Sequence, residues 1–191
     1  MKEIQSDLLI SISVSKKPYE KIITRDNIIN ITGESGSGKS TYTKKYLNDN
    51  NYIVIDTDEI MSNRPTTNKN CLEFRSYLFN KYKDNMPDIC KDFNIVYKEI
   101  LDYYKDCEKT LIIDSAQYRN LKTEDDLKLL KGKIIVIRTS IDECYKRVIE
   151  RWKSININYT EEDLSKYKTR KLGMYKWYKS LNEFLVKIEI I

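Results

Sequence analysis

The chain has 191 residues and no histidine. Without imidazole, a Ser-His-Asp hydrolase is excluded, and a general base has to be a carboxylate or, failing that, a lysine or tyrosine. The four cysteines, Cys71, Cys90, Cys107 and Cys144, contain no C-x-x-C pair. With no histidine to join them they argue against a zinc site, and they read as reduced, mostly buried thiols of a cytoplasmic protein. No run of some 18 apolar residues is present, and the N-terminus carries no apolar segment followed by a small-residue cleavage site. Neither a membrane span nor a secretory signal is therefore expected. Proline and glycine are scarce, at three and five residues. The net charge of +5 suits a protein that handles polyanions, nucleotides included.

Scarcity makes the glycines informative. Three of the five, Gly33, Gly36 and Gly38, fall within the eight residues GESGSGKS at 33–40. This is a complete G-x-x-x-x-G-K-[ST] phosphate loop. Glycine lets the backbone curl so that successive N–H groups point at one anion, and the loop positions Gly33, Ser35, Gly36, Ser37, Gly38, Lys39, Ser40 and Thr41 are the expected nucleotide contacts. Lys39 can reach the β- and γ-phosphates, and the Ser40 hydroxyl can sit on Mg²⁺. The motif needs a strand before it and a helix after it. Asn27–Thr32 is a short β-rich apolar run, and Thr41–Leu47 follows without a breaker.

Beyond the loop, apolar runs alternate with helical patterns, which predicts an α/β fold with a parallel sheet flanked by helices. Strands are expected at Tyr52–Asp56, Thr110–Asp114 and Lys133–Arg138, with a last strand at Phe184–Ile191 and an alternating edge strand at Asp7–Ser15. Helices are expected at Cys71–Tyr82, Asp88–Tyr104, Thr123–Leu130, Ser140–Lys153 and Thr160–Leu181, with Gly173 placed to break or kink the last. At this length, one domain is expected.

Ligands of open parallel sheets bind beyond the C-terminal strand ends, so the residues after each strand carry the chemistry. Asp56-Thr57-Asp58 follows the second strand. Asp58 is the candidate base for an acceptor hydroxyl, with Asp56 placing Mg²⁺ through water. The competing reading makes this stretch a helix N-cap with an acidic first turn. Asp114 ends the run Leu111-Ile112-Ile113-Asp114, a Walker B-like element in the outer shell of the metal. Ser115 follows it, where water-activating ATPases usually place a glutamate. Arg147 and Arg151, four apart on one helix, can answer the charge of a transferring phosphoryl group. A solvated charge stripe is the alternative. Lys166, Lys168, Arg170, Lys171, Lys176 and Lys179 interleave with Tyr167, Tyr175, Trp177 and Tyr178. That pattern fits either nucleic-acid contact or, as the preferred reading, an amphipathic helix with snorkelling lysines.

Together, GESGSGKST at 33–41, DTD at 56–58, LIID at 111–114 and the Arg147/Arg151 pair resemble the small P-loop kinases of the nucleoside-monophosphate-kinase and shikimate-kinase type. The resemblance implies five parallel strands in the order 2-3-1-4-5, a lid within 140–181 that closes over ATP, and an acceptor-binding helical insertion at 59–109. By similarity to the hydroxyl kinases of that group, Asp58 would contact or deprotonate the acceptor. Lys39, Arg147 and Arg151 complete the catalytic set, and Arg64, Arg75, Gln117 and Arg119 are expected on the acceptor. The implied activity is ATP- and Mg²⁺-dependent transfer of the γ-phosphate to a hydroxyl of a small metabolite or nucleoside-like molecule. Polynucleotide 5′-hydroxyl kinases also resemble the chain, though Met61 stands where they usually carry an arginine. A third reading is a nucleotide-dependent switch or NTPase module of a larger assembly, since the residues leading into the loop are similar to transporter-type ATPase domains; no L-S-G-G-Q-like signature follows.

Overall fold

A computed structural model describes residues 18–62, 65–155 and 160–190. The expected strand at Asp7–Ser15 and the candidate Arg64 lie outside the described residues. Five strands form one sheet: β1 (Tyr19–Ile22), β2 (Ile28–Thr32), β3 (Tyr52–Asp56), β4 (Thr110–Asp114) and β5 (Lys133–Val136). The helices are α1 (Lys39–Thr43), α2 (Thr57–Met61), α3 (Lys69–Tyr82), α4 (Met86–Ile89), α5 (Phe93–Tyr103), α6 (Glu124–Lys128), α7 (Ile141–Ile155) and α8 (Glu161–Ile190).

The strands lie in the order β1-β5-β2-β4-β3. The four parallel strands reproduce the expected 2-3-1-4 core, with β2 between β4 and β5 and β3 beyond β4. The fifth position differs. It is taken by β1, antiparallel to β5, and not by the expected Phe184–Ile191 strand, whose residues 184–190 are the last part of α8; Ile191 lies outside the described residues. The reason is the apolar spacing. Met174, Trp177, Tyr178, Leu181, Phe184, Leu185 and Ile188 are buried at helical intervals, whereas Val186 is exposed. An apolar stripe already running at that period carries the short Phe-Leu-Val stretch along with it. The helix also passes through Gly173 without a break.

Alternate residues of the central strands feed two faces. Ile53, Ile55, Leu111, Ile113, Ile134 and Val136 join the larger core, which α3, α5 and α8 cover. Ile31, Val54, Ile112 and Ile135 form a smaller one with Tyr42 and Tyr46 beside α1. Asp92 is the N-cap of α5, its carboxylate accepting from the N–H groups of Asn94 and Ile95, and the helix presents Phe93, Val96, Tyr97 and Ile100 inward. Cys71, Cys90 and Cys144 are buried and Cys107 is exposed, all as free thiols.

One polar residue sits at the centre of the larger core. Asn30 of β2 is fully buried, and its Nδ2 donates to Lys131 O at 2.6 Å and Lys133 O at 3.2 Å. Its Oδ1 accepts from the Tyr97 and Tyr118 hydroxyls, each at 2.9 Å. Beside it, Gly132 turns the chain into β5 with a φ of +73°, and a Cβ there would lie 2.1 Å from Ile28 O. Replacing the amide by an apolar side chain of similar size would remove four hydrogen bonds, leaving the Tyr97 hydroxyl without its acceptor and the Lys131 and Lys133 carbonyls without this donor, while Tyr118 keeps Ile113 O at 3.2 Å. Asn30→Leu is expected to lower unfolding free energy by roughly 3 kcal/mol or more, since each buried unpaired group costs about 1–3 kcal/mol. Urea denaturation of the two proteins checks this.

Candidate functional site

The C-terminal ends of β2, β3, β4 and β5 all open on the same side, as the parallel register requires. There, a cavity of about 1530 Å³ is lined by most of the phosphate loop, by the β3–α2 corner and by residues of α7 and α8.

The loop itself is built by close packing. Gly36 and Gly38 have φ of +83° and +102°, in the left-handed region where a side chain is strained. A Cβ on Gly36 would also lie 2.5 Å from Cys144 O, and one on Gly33 would lie 2.5 Å from Ser37 Oγ. Segment 137–147, after β5, braces the loop from outside. Thr139 Oγ1 donates to Ser37 O at 2.8 Å, and Arg147 Nη1 donates to Gly36 O at 3.2 Å. Lys39 Nζ turns back on the loop and donates to Gly33 O at 2.9 Å. Gly38 is the N-cap of α1, with no side-chain cap. Ser37 Oγ is buried and has no hydrogen-bond partner among the described residues. A glycine cradle with a lysine curled into it is what the phosphates of a nucleotide fit.

Three aspartates of the motifs lie close together, with different surroundings. Asp56 and Asp114 are side by side in adjacent strands. Asp56 caps α2, with Oδ1 accepting from Asp58 N at 2.8 Å and Glu59 N at 3.3 Å. The N-cap reading of this stretch thus describes Asp56 well. Burial, and the neighbouring Asp58 and Glu59 charges, push its carboxyl above the usual range. Asp114 is buried behind the loop, 3.4 Å from Thr43 Oγ1, and does not line the cavity. Burial raises its pKa from 3.8 to about 7, with Lys39 pulling the other way. Asp58 lines the cavity, and its carboxylate makes no hydrogen bond or ion pair among the described residues. Ser115 is buried, 2.6 Å from Thr57 Oγ1.

Ser35, Gly36, Gly38, Lys39, Ser40, Thr41, Asp56, Asp58, Gln117, Arg119, Arg147 and Arg151 are brought together on the cavity. Gly33, Ser37 and Asp114 lie behind its wall. Arg75 is not brought there. Its Nη2 donates to Glu59 O, so it props α2 from the α3 side. As hard oxygen donors, Ser40 and Asp56 fit Mg²⁺. Among the described residues no group of three or more Cys, Asp or Glu is placed to hold a cation unaided. A cation here would therefore share its coordination with phosphate oxygens and water, as Mg²⁺ commonly does.

A family model described as an AAA domain matches residues 28–170, which include the loop, both aspartate corners and the arginine pair. The chain belongs to this AAA domain family. It is a P-loop nucleotide-binding domain of kinase-like type. Among solved structures, the crystal structure of TT1252 from Thermus thermophilus matches at 19% identity, over 76% of this chain and 81% of that one, with a TM-score of 0.40. No curated protein matches the chain. No helix among the described residues is long and apolar enough to cross a membrane.

In this AAA domain, sequence reasoning missed several cavity residues. Glu34, inside the loop motif, is buried; its Oε1 accepts from Ser35 N at 2.7 Å and lies 3.6 Å from Arg170 Nη2. Burial raises its pKa, although the Ser35 N–H and the Arg170, Lys39 and Arg119 charges oppose this. Glu59, Arg138, Gly173 and Lys176 also line the cavity. Arg170 and Lys176 stood in the basic stretch, but their shared direction becomes visible only once α8 has a partner.

The native state holds the Asp114 proton more tightly than the unfolded chain does. Its contribution to stability is therefore present at acid pH and lost as pH rises from about 4 to about 7. Asp56 and Glu34, also raised, act in the same direction. In the nucleotide-free protein with chelator present, Asp114→Asn should flatten the fall of Tm across that window. An equally steep fall in the variant would show that Asp114 is not its source.

Proposed function

We propose that the chain is an ATP- and Mg²⁺-dependent phosphotransferase that moves the γ-phosphate of ATP to a hydroxyl of a small metabolite or nucleoside-like acceptor. The observation that carries this is Asp58. It faces the same cavity as Lys39 and Ser40, and its carboxylate is uncommitted, while Asp56 is occupied as a cap and Asp114 is buried behind the loop. A hydroxyl acceptor requires a base within hydrogen-bond reach of its proton and an in-line approach to the phosphate. Asp58, on the same cavity as the loop's lysine, is the residue that would supply the first.

The loop N–H groups and Lys39 hold the phosphates, with Lys39 leaving the Gly33 carbonyl to do so. Mg²⁺, held by Ser40 and through water by Asp56, would draw charge from the β- and γ-phosphate oxygens. Arg147, already on the Gly36 carbonyl, and Arg151, one turn further along α7, are placed to meet the charge that spreads over the transferring group. Gln117 and Arg119, which line the same cavity, would contact the acceptor. Ser115 follows Asp114 where a water-activating glutamate would be needed, which favours transfer to an acceptor over hydrolysis. The NTPase-module reading loses ground for the same reason. A polynucleotide 5′-hydroxyl acceptor is the second reading, favoured by eight Lys and Arg against four Asp and Glu on the cavity wall.

An acceptor screen with labelled ATP, covering metabolites, nucleosides and 5′-hydroxyl oligonucleotides, tests the reading directly. Lys39→Ala should abolish transfer and leave the melting temperature close to that of the parent. Full activity in that variant would remove the kinase reading altogether. Asp58→Asn should lower kcat by roughly 10² or more, the scale of a lost base, with ATP affinity little changed. Glu59→Gln, one residue on, serves as control. A collapse of ATP affinity in Asp58→Asn would instead make Asp58 a metal residue. For Arg147→Ala and Arg151→Ala, kcat should fall while KM for both substrates moves little, because the contacts are made in the transition state. If they only form a surface stripe, turnover will stay normal and stability will change by less than about 1 kcal/mol.

A further inference from the structure

Gly173 sits in the interior of a 30-residue helix, where glycine is destabilising relative to alanine. Two common reasons for such a glycine do not apply. Its φ is not positive, and a Cβ built on it would meet nothing within 4 Å. It does line the cavity. The bare backbone is thus turned towards ligand space.

The residues around it are cationic, and Glu34 is the acidic group that faces them. Arg170 and Lys176 lie one helical turn to either side of Gly173 and line the same cavity, as does Arg119 from the turn after β4. Among the described residues, none of these three side chains donates a hydrogen bond. Arg119 Nε is buried and unpaired. Arg170 is 3.6 Å from Glu34, an ion-pair distance too long for a hydrogen bond, and about half of its side chain remains exposed. Trp177 Nε1 donates to Ala116 O at 3.1 Å and fixes this part of α8 against the segment that carries Arg119.

We infer that the Gly173 face of α8, with Arg170, Lys176 and Arg119, is a subsite for a phosphate group carried by the acceptor itself. This rests on the phosphotransferase reading above. Two guanidinium forks and an ammonium match the oxygens and charge of a phosphate, and the missing side chain at 173 gives it room against the helix. The acceptor is then a phosphorylated molecule with a free hydroxyl. It is either a small phosphate ester or the terminal nucleotide of a strand.

The test starts from protein loaded with Mg²⁺ and a non-hydrolysable ATP analogue, so that the phosphate loop is filled. Inorganic phosphate is titrated by calorimetry into the loaded parent, into Gly173→Leu, and into Arg170→Gln and Lys176→Gln. The loaded parent should bind phosphate. Gly173→Leu should weaken binding at least tenfold while its Tm stays at or above that of the parent, because leucine favours helix and the space is open. Arg170→Gln and Lys176→Gln should each weaken binding about fivefold without loss of the analogue. A nucleoside 3′-monophosphate and a short 5′-hydroxyl oligonucleotide, each against the unphosphorylated nucleoside, separate the sources. At least tenfold preference for the monophosphate, unimproved by a longer strand, identifies a small ester; a further tenfold gain with the oligonucleotide identifies a strand. Absence of phosphate binding by the loaded parent, or unchanged binding in Gly173→Leu, overturns the subsite. Failure to load the analogue overturns the phosphotransferase reading and takes the subsite with it.

Discussion

A single buried amide holds the elements of this fold in relation to one another. Asn30 has four hydrogen bonds to make, and the core supplies four. Through them the strand that enters the phosphate loop is tied to α5, to the turn after β4 and to the turn before β5. Hydrophobic contact alone would hold these elements together but would leave their register loose. A buried polar group whose partners come from distant parts of the chain is satisfied in one arrangement. Since β2 runs straight into Gly33, the position of the loop follows from that of Asn30. Burial also pushes the hydroxyls of Tyr97 and Tyr118 well above their usual range, so both remain donors at any ordinary pH.

The second constraint is the fit between the loop and α7. Gly36 has no room for a Cβ because the Cys144 carbonyl occupies that space, and Arg147 closes over the Gly36 carbonyl from the same helix. A residue that phosphate binding already calls for thus also permits α7 to approach. The helix that carries the two arginines is docked onto the part of the chain suited to holding the phosphates. The hydroxyl of Tyr178 on α8 reaches the Thr139 carbonyl, and Thr139 in turn holds the Ser37 carbonyl, so α8 is connected to the loop as well.

Much of this was legible in the chain, for local reasons. Tyr52–Asp56 and Thr110–Asp114 are apolar runs ending in aspartate, and they form strands with those bounds. The loop declares itself by glycines concentrated in a glycine-poor chain. What was not legible depends on partners distant in sequence. Phe184–Ile191 reads as a strand in isolation, and residues 184–190 are helical because the stripe beginning at Met174 carries into them. Tyr19–Ile22 is too short to stand out and becomes a strand by pairing with β5. Arg75 has the right chemistry for an anion but sits on the side of α3 that faces Glu59. Glu34 was hidden inside its own motif, since the pattern leaves that position free. Gly173 looked like a helix breaker because its surroundings, open on one side, are a tertiary property.

Helix α8 is about 45 Å long at 1.5 Å per residue, and its buried stripe runs from Met174 to Ile188. Its inward face is part of the main core, while Arg170 and Lys176 flank the first buried turn. A segment packed in this way opens only with the whole domain, unlike a surface loop that can unfold by itself at little cost. The cavity wall at Lys176 is thus tied to the core rather than to a surface loop. On heating, the buried turns of α8 are expected to open together with the core they belong to.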